Sequence, residues 1–508
     1  MLRYAAVDIG SNSTRMLAAE VASGEPPRML ASERVVTRLG ASVFQDGRLS
    51  AQAIEETERV LARMAEVYRR LDVAGVRAVA TSAVRDASNQ AEFLVRASAA
   101  LGSQVEIITG REEARLIHQG VMSRWPQSQK RVLIVDIGGG SAEIVASEDE
   151  KLIDAVSKPL GAVRLQEMFL HTDPPAEREL HQLAEFVDEK LEGAIARMGL
   201  KWDRVIATSA TAAAVICAVN RVSRARRDQA DRLRASTSQV RKLYQHLATL
   251  DLAARRKIAG IGPRRAEIVV AGTGALLRIL ERFHAPATYY SAAGVRDGII
   301  ADMAAKGVGT DLARLSREQR REVERVVGRF AASLPQARRV GGFAQLLFAR
   351  LQPLHQLALS YAKLLEAACY LCEIGHYIND SGHHKHAYYI VANLDLAGFT
   401  NDEREFIANL CRYHRKAMPS PSHPEFQTLA ATERRPMTDL IPVLRLADNL
   451  SRGPDDLELV NCEIQNSRVL VNLRSAREPD LAEWAASRVS EVFEQIYGRS
   501  VVVTHERS

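Results

Sequence analysis

This chain lacks the material for a disulfide framework, a membrane span or a base-stacking surface. Its 508 residues hold five cysteines, Cys217, Cys369, Cys372, Cys411 and Cys462. They are scattered through a long chain, so no disulfide scaffold is expected and a reducing, cytoplasmic setting fits. Cys369 and Cys372 have the Cys-x-x-Cys spacing, but their flanks read as a buried helix, and packing is the expected role. No apolar run reaches the ~18 residues that a span requires, and the first residues enter a strand-like run instead of a signal peptide. The expectation is therefore no membrane insertion and a protein that stays where it is made. Aromatic residues make up only 5%, and none interleave with the basic runs. That argues against a nucleic acid duplex or stacked bases as partner.

Core-forming material is ample. Hydrophobic residues are 46% and charged residues 26% of the chain, the balance of a globular protein. The length suggests roughly three or four domains. A net charge of +6 favours polyanionic partners. Basic residues cluster at Arg221, Arg224, Arg226 and Arg227, at Arg255, Arg256, Lys257, Arg264 and Arg265, and at Arg317, Arg320 and Arg321. Such runs are either solvated helix faces or a grip on a phosphate chain without bases.

One stretch organises the rest. Val132-Leu133-Ile134-Val135 is a short β-branched run, and Asp136-Ile137-Gly138-Gly139-Gly140-Ser141-Ala142-Glu143 follows it. This reads as a buried strand, a tight turn and a returning strand. Glycines let successive N–H groups converge on an anion, while Asp136 and Glu143 have the hard oxygens that a divalent cation prefers. Asp8-Ile9-Gly10-Ser11-Asn12-Ser13 repeats the phrase after the run Tyr4 to Val7, with Arg15 where the later copy has Glu143. Two such turns predict duplicated lobes whose phosphate cradles face each other across a cleft.

Along the chain, strands are expected at Thr14–Val21, Arg34–Gly40, Val76–Ala80 and Val105–Thr109, and helices at Ser50–Leu71, Asn89–Leu101 and from Gly110 to Trp125. Arg85 falls just past a strand end, where α/β sheets place ligand contacts, although surface arginines are commoner. Glu112 and Glu113 open a helix. Consecutive helical residues point about 100° apart, so only one can aim back at the sheet edge; Glu112 suits the helix dipole and Glu113 suits the cleft. The second lobe repeats the plan through strands near 132–158, Arg204–Thr208 and Tyr289–Ala292. Small-residue turns at Thr208–Thr211 and Ala271–Gly274 are expected on its rim. Polarity rises with Gly307 and Gly309 after residue 305. Helical periodicity then runs from Arg317 to Asn449, and a small α+β tail follows Gly453-Pro454.

Five blocks in order resemble the exopolyphosphatase and guanosine pentaphosphate phosphohydrolase (Ppx/GppA) family. They are Asp8–Ser13, Ala80–Arg85, Gly110–Arg115, Asp136–Glu143 and Ser291–Gly298. The resemblance implies an α/β fold of two duplicated actin-like (ribonuclease H-like) lobes, residues 1–124 and 125–304, around a central cleft. It further implies an all-α HD-like domain at 305–450 and a small α+β domain at 451–508. The segments Asn379–Ile390 and Arg412–Ala417 resemble that HD-type extension. Cys372-Glu373 stands where an HD enzyme has its metal-binding His-Asp pair, so despite His355, His386, His414 and Asp448 the domain is expected to be a scaffold without its own catalysis.

The resemblance also implies the roles. Glu113 would be the general base on an attacking water, and Asp136, Glu143 and Asp8 would hold Mg2+ or another divalent cation, with K+ left open as a second ion. Backbone groups of Gly10, Ser11, Asn12 and Ser13 and of Gly138, Gly139, Gly140 and Ser141 would grip phosphate oxygens, and Arg85 would pair with the terminal phosphoryl group. Arg15 either contacts phosphate or braces its strand. Many members have Ser-Gly-Thr followed by a lysine after the strand ending near Ala207; here Thr208–Ala214 contains no lysine, which leaves its grip to the arginine clusters. The expected substrate is inorganic polyphosphate, cut at its end to release orthophosphate. The rival is pppGpp, and a more distant alternative is an ATP-binding kinase-like or regulatory module. A homodimer is the base-rate expectation.

Overall fold

The computed structural model describes residues 2–22, 27–41, 43–223, 225–226, 230–306, 313–454, 456–476 and 480–507. Arg224, Arg227, Gly307 and Gly309 lie outside them. The chain forms two compact units, Met1–Ala305 and Lys306–Ser508.

The first unit contains two sheets built on one plan. In the first, β1 (Leu2–Ile9), β2 (Thr14–Val21), β3 (Arg28–Val35), β4 (Gly75–Ala80) and β5 (Val105–Ile107) lie in the order β3-β2-β1-β4-β5. β1, β2 and β3 are antiparallel neighbours, whereas β4 and β5 run parallel to β1. The second comprises β6 (Arg131–Ile137), β7 (Ala142–Glu148), β8 (Lys151–Lys158), β9 (Arg204–Thr208), β10 (Arg234–Ser236) and β11 (Ala287–Tyr290). Its order β10-β11-β9-β6-β7-β8 repeats the first with one added antiparallel edge strand. This is the duplicated actin-like (ribonuclease H-like) arrangement.

β6 can sit at the centre of its sheet because Val132 to Val135 are all fully buried. Helix Ala51–Arg70 starts where the Ser50 hydroxyl accepts the Ala53 N–H, and it buries Ile54, Leu61 and Met64 at helical spacing. Helix Gly110–Arg124 starts on Thr109, whose hydroxyl accepts the Glu112 N–H at 3.2 Å. It serves both lobes. Leu116 joins Tyr4, Ala6 and Leu17 of the first sheet, while Ile117 and Val121 join Val132, Ile134 and Val145 of the second. Helix Val295–Lys306 returns to the first sheet through Ile299 and Ile300. It crosses the Gly110–Arg124 helix so closely that a Cβ on Gly298 would collide with the Leu116 carbonyl.

Three expected elements differ, one of them Thr208–Thr211, which is a strand end running straight into helix Ser209–Val219 and not a turn. The strand expected at Arg34–Gly40 is Arg28–Val35, because β3 pairs with β2 back to Arg28; residues 36–40 turn to the first cradle, where Gly40 N–H donates to Ser11 O at 2.7 Å. Ala271–Gly274 is no turn but lies within helix Val269–Arg282. That segment is buried all round and so shows no amphipathic period. Its glycines admit close packing, since a Cβ on Gly272 would lie 2.6 Å from Thr211 Cγ2.

Among the described residues, the second unit is helical from Arg317 to Leu450. A three-stranded sheet of β12 (Glu458–Ile464), β13 (Arg468–Ser475) and β14 (Ser500–Arg507) follows, with helix Asp480–Tyr497 between its last two strands. No helix among the described residues is long and apolar enough to cross a membrane.

Candidate active site

The two glycine turns occupy equivalent places in the two sheets. Gly10 N–H donates to Ser13 O at 3.2 Å and Gly138 N–H to Ser141 O at 3.0 Å. On the ladders Asp8 pairs with Arg15 and Asp136 with Glu143, so the sequence repeat is also a repeat in register. The turns face each other at close range. A Cβ on Gly139 would lie 2.9 Å from Ser11 Cβ and 3.1 Å from Asn12 N, and one on Gly140 would lie 2.9 Å from Ser11 Oγ. Among the described residues, the N–H groups of Ser11, Asn12, Gly139 and Gly140 find no protein acceptor. All four residues line one cavity, where backbone N–H groups can receive an anion.

That cavity measures about 250 Å³. It is lined by Asp8, Gly10, Ser11, Asn12, Ser13, Arg15, Glu113, Asp136, Gly138, Gly139, Gly140 and Ser141. Glu143 and Arg85 stand behind this lining. Glu143 is only 1% exposed, and its Oε1 accepts the Ser157 hydroxyl at 2.7 Å. Arg85 donates from Nη1 to Ile108 O at 2.6 Å and places the same nitrogen 3.7 Å from Glu113 Oε2. It touches the carboxylate expected to act as base. Arg15 donates to Ser13 Oγ at 3.2 Å, which braces the first turn while the residue still lines the cavity.

The adjacent glutamates have separated. Glu112 enters a buried ion network in which Arg115 grips both its oxygens at 2.7 and 2.8 Å, Arg77 reaches it at 3.2 Å, and Asp302 joins both arginines. Glu113 faces the cavity, and its buried Oε2 has no hydrogen-bond partner among the described residues.

Four carboxylates therefore gather in a buried space. Burial, and then the neighbouring Glu143, pushes the Glu113 carboxyl well above the usual range against the pull of Arg85. Burial and Asp136 raise Glu143 to about 7, with the Ser157 and Ser141 hydroxyls pulling the other way. Asp136 rises to about 6 through burial, opposed by Arg15 and assisted by Asp8. Asp8 is raised by burial against Arg15, Arg296 and Arg34. Buried like charges of this kind are tolerable only with bound protons or a cation. With a Glu113 oxygen that makes no hydrogen bond among the described residues, the oxygen donor set fits a hard divalent ion, and Asp8 and Asp136 are among the acids that line the cavity.

Of the remaining lining, the sequence marks no site role for Arg34, whereas Arg265, Arg296, Thr81, Ser82, Thr208 and Ser209 lie in stretches it does mark. Arg34, Arg265 and Arg296 come to the cavity from three separate segments, as do Thr81, Ser82, Thr208 and Ser209. Among the described members of the basic clusters Arg265 lines it, while Arg255 pairs with Asp173 and Arg320 with Glu366. Arg296 is held by Met16 O at 2.9 Å and Ser32 Oγ at 3.2 Å. Ser209 enters the site in the left-handed region at φ 76° and donates to Ile137 O at 2.8 Å. Such backbone strain in a non-glycine residue is concentrated at functional sites.

Residues 17–307 match the Ppx/GppA phosphatase family, and residues 319–478 match domain III of the Ppx/GppA phosphatases. Among solved structures, the Aquifex aeolicus member of the Ppx/GppA family is 30% identical, with a TM-score of 0.54 over 61% of this chain and 99% of that one. An exopolyphosphatase-like protein is 28% identical, with a TM-score of 0.56 over 59% of this chain and 97% of the other. An exopolyphosphatase from Cytophaga hutchinsonii, at 24% identity and a TM-score of 0.55 over 59% and 97%, shares the fold.

Proposed function

The chain belongs to the Ppx/GppA phosphatase family, and on that premise we propose that it is an exopolyphosphatase, hydrolysing the terminal phosphoanhydride of inorganic polyphosphate to release orthophosphate. One observation carries the reading: the two glycine turns share a cavity with Glu113, whose buried Oε2 has no hydrogen-bond partner among the described residues. Phosphoryl transfer asks for positioning, charge neutralisation and an aligned nucleophile, and these groups supply each of them.

In this reading Ser11, Asn12, Gly139 and Gly140 hold oxygens of the terminal phosphoryl group through their N–H groups. Glu113 Oε2 takes a proton from the water whose oxygen attacks phosphorus. The bridging P–O bond breaks, and the shortened chain leaves with the bridging oxygen. A carboxyl raised above its ordinary range by burial is a stronger base than an exposed one, which suits this step. Arg85 restrains Glu113 at 3.7 Å and keeps it aimed inward. Asp8 and Asp136, with Glu143 behind them, would hold Mg2+, which supplies charge neutralisation at the phosphoryl oxygens.

Polyphosphate is favoured because the cavity wall offers Arg15, Arg34, Arg265 and Arg296 but a single aromatic ring, Tyr290. A chain of anions needs cations, whereas a purine needs a flat apolar slot. The deciding assay measures phosphate release from long polyphosphate, pppGpp and ATP side by side, for wild type and Glu113→Gln. Magnesium-dependent release from polyphosphate that the substitution lowers by about 10²–10⁴-fold is expected. A preference for pppGpp would move the assignment to that nucleotide, and an active Glu113→Gln would remove Glu113 as base.

A further inference from the structure

The helical unit was expected to be a chelation-deficient scaffold, because Cys372-Glu373 replaces a His-Asp pair. Of the other residues singled out there, His355 is satisfied by Phe348 O at 2.9 Å and the Leu357 N–H at 3.0 Å, and Asp448 pairs with Arg452 at 3.1 Å. His414 is different. It meets Glu373 and His383, which come from two other chain segments.

Glu373 follows helix Ser360–Leu371, His383 opens helix His383–Asn393, and His414 closes helix Asn401–Tyr413. His383 Nε2 lies 3.3 Å from His414 Nε2, and Glu373 Oε1 lies 3.4 Å from the second and 3.8 Å from the first. The other nitrogen of each ring faces a backbone carbonyl: His383 Nδ1 is 3.1 Å from Asp380 O and His414 Nδ1 is 2.7 Å from Cys411 O. A carbonyl can only accept, so each ring carries a proton on Nδ1, and Nε2 is the atom left to bind a cation. Three potential ligand atoms then converge, and Glu373 Oε1 is buried without a geometrically formed hydrogen bond among the described residues. Around one cation they become a ligand set.

The dimensions agree. Tetrahedral bonds of about 2.0–2.1 Å place ligand atoms roughly 3.3–3.4 Å apart, against the 3.3, 3.4 and 3.8 Å observed. Metal-bound imidazoles donate their second nitrogen to a carbonyl or carboxylate in the way these two do. His376 bridges Glu373 Oε2 and Asp380 Oδ1, each at 2.7 Å, and stacks on His383 at 3.9 Å, which fixes the carboxylate's direction. Cys372 Sγ lies within 4.8 Å of the Glu373 and His414 ligand atoms on the buried side. The His414 side chain is fully buried and that of Glu373 is 31% exposed, so the cluster is closed behind and reachable in front.

We propose that Glu373 Oε1, His383 Nε2 and His414 Nε2 form a transition-metal site of the zinc type, with Cys372 as the adjacent soft donor and His376 as the residue that orients Glu373. Two imidazoles, a carboxylate and a thiol select zinc over magnesium, so this site takes a different ion from the oxygen-lined phosphate cleft.

The test strips the full chain with a chelator and titrates it with Zn2+ in the presence of excess Mg2+, reading bound zinc by elemental analysis and the ligand set by X-ray absorption. Cobalt substitution adds the visible bands of a tetrahedral site. One zinc per chain with imidazole scattering is expected. It should survive Asp136→Asn in the cleft, lose affinity by more than about 10²-fold in His383→Gln and His414→Gln, and lose about 10-fold in His376→Ala. Far-UV circular dichroism checks that the variants fold, and the absorption spectrum of the wild type needs no variant. Substoichiometric zinc, a ligand shell without imidazole, or zinc that persists in the folded double histidine variant would overturn the site.

Discussion

Magnesium should stabilise this protein much more at alkaline than at acidic pH, and the carboxylates of the phosphate cleft set the size of the effect. Glu143 titrates at about 7 instead of 4.5 and Asp136 at about 6 instead of 3.8, burial being the first cause for both. Because these folded values lie above the unfolded ones, the folded chain retains protons that the unfolded chain has released. The stability they confer is complete below about pH 4, declines as pH rises, and is lost above about pH 7. Each displacement corresponds to about 3 kcal/mol, and since the two groups repel each other the contributions do not simply add. A divalent ion held by these acids offsets the loss, and only where they are ionised. Calorimetric melting with and without Mg2+ should therefore show a rise in the first unit's transition that is roughly 5–10 °C larger near pH 8 than near pH 5. Glu143→Gln should raise the melting temperature of the magnesium-free chain at the alkaline end and shrink the magnesium effect. A magnesium shift that does not vary with pH, or one that grows toward acid, would refute the reasoning.

The neighbouring glutamates should separate stability from activity. Glu112→Gln breaks a buried pair and should cost about 3–5 kcal/mol in unfolding free energy, whereas Glu113→Gln should abolish phosphate release while raising the melting temperature by a few degrees, both measured on the same preparations. Gly139→Ala drives a methyl group between the two cradles, where Ser11 Cβ and Asn12 N leave no room; kcat/KM should fall by about 10²-fold, as for loss of an oxyanion donor. Arg265→Ala should raise KM for long polyphosphate by roughly 10-fold with kcat little changed, because the arginine lines the wall and touches no reacting atom.

The parts of this architecture legible in the sequence share a local signal. The paired turns announce themselves through β-branched runs followed by Asp-Ile-Gly, and the ladder pairs Asp8–Arg15 and Asp136–Glu143 place the repeat in register. Ser50 and Thr109 mark helix starts because a hydroxyl that accepts a backbone N–H requires a particular residue type at one position. Where the signal is nonlocal, reading fails. Ala271–Gly274 resembles a turn because the first half of its helix is wholly buried and offers no exposed residue to set a period. Arg34, Arg265 and Arg296 lie far apart in the chain, and although Arg265 sits in a basic cluster and Arg296 in the Ser291–Gly298 block, only the fold brings them to one wall. The same holds for His383, which appears as one of several histidines in a basic-looking run until its ring is seen against His414.

The duplication also explains why the cleft is chemically one-sided. A repeated hairpin gives two similar cradles of backbone donors, which by themselves would bind any small anion. The asymmetry enters at the single ladder position where Arg15 replaces the acid found at Glu143. Arg15 opposes the rise of both Asp8 and Asp136, whereas Glu143 adds to the burden on Glu113. One wall thus partly neutralises its own acids, and the other concentrates negative charge around the carboxylate that must take a proton. Neither wall alone does both. On the proposed reading, a phosphoryl group held between them would have arginine at one flank and, at the other, an acid cluster whose charge a cation would have to offset before a polyanion could approach.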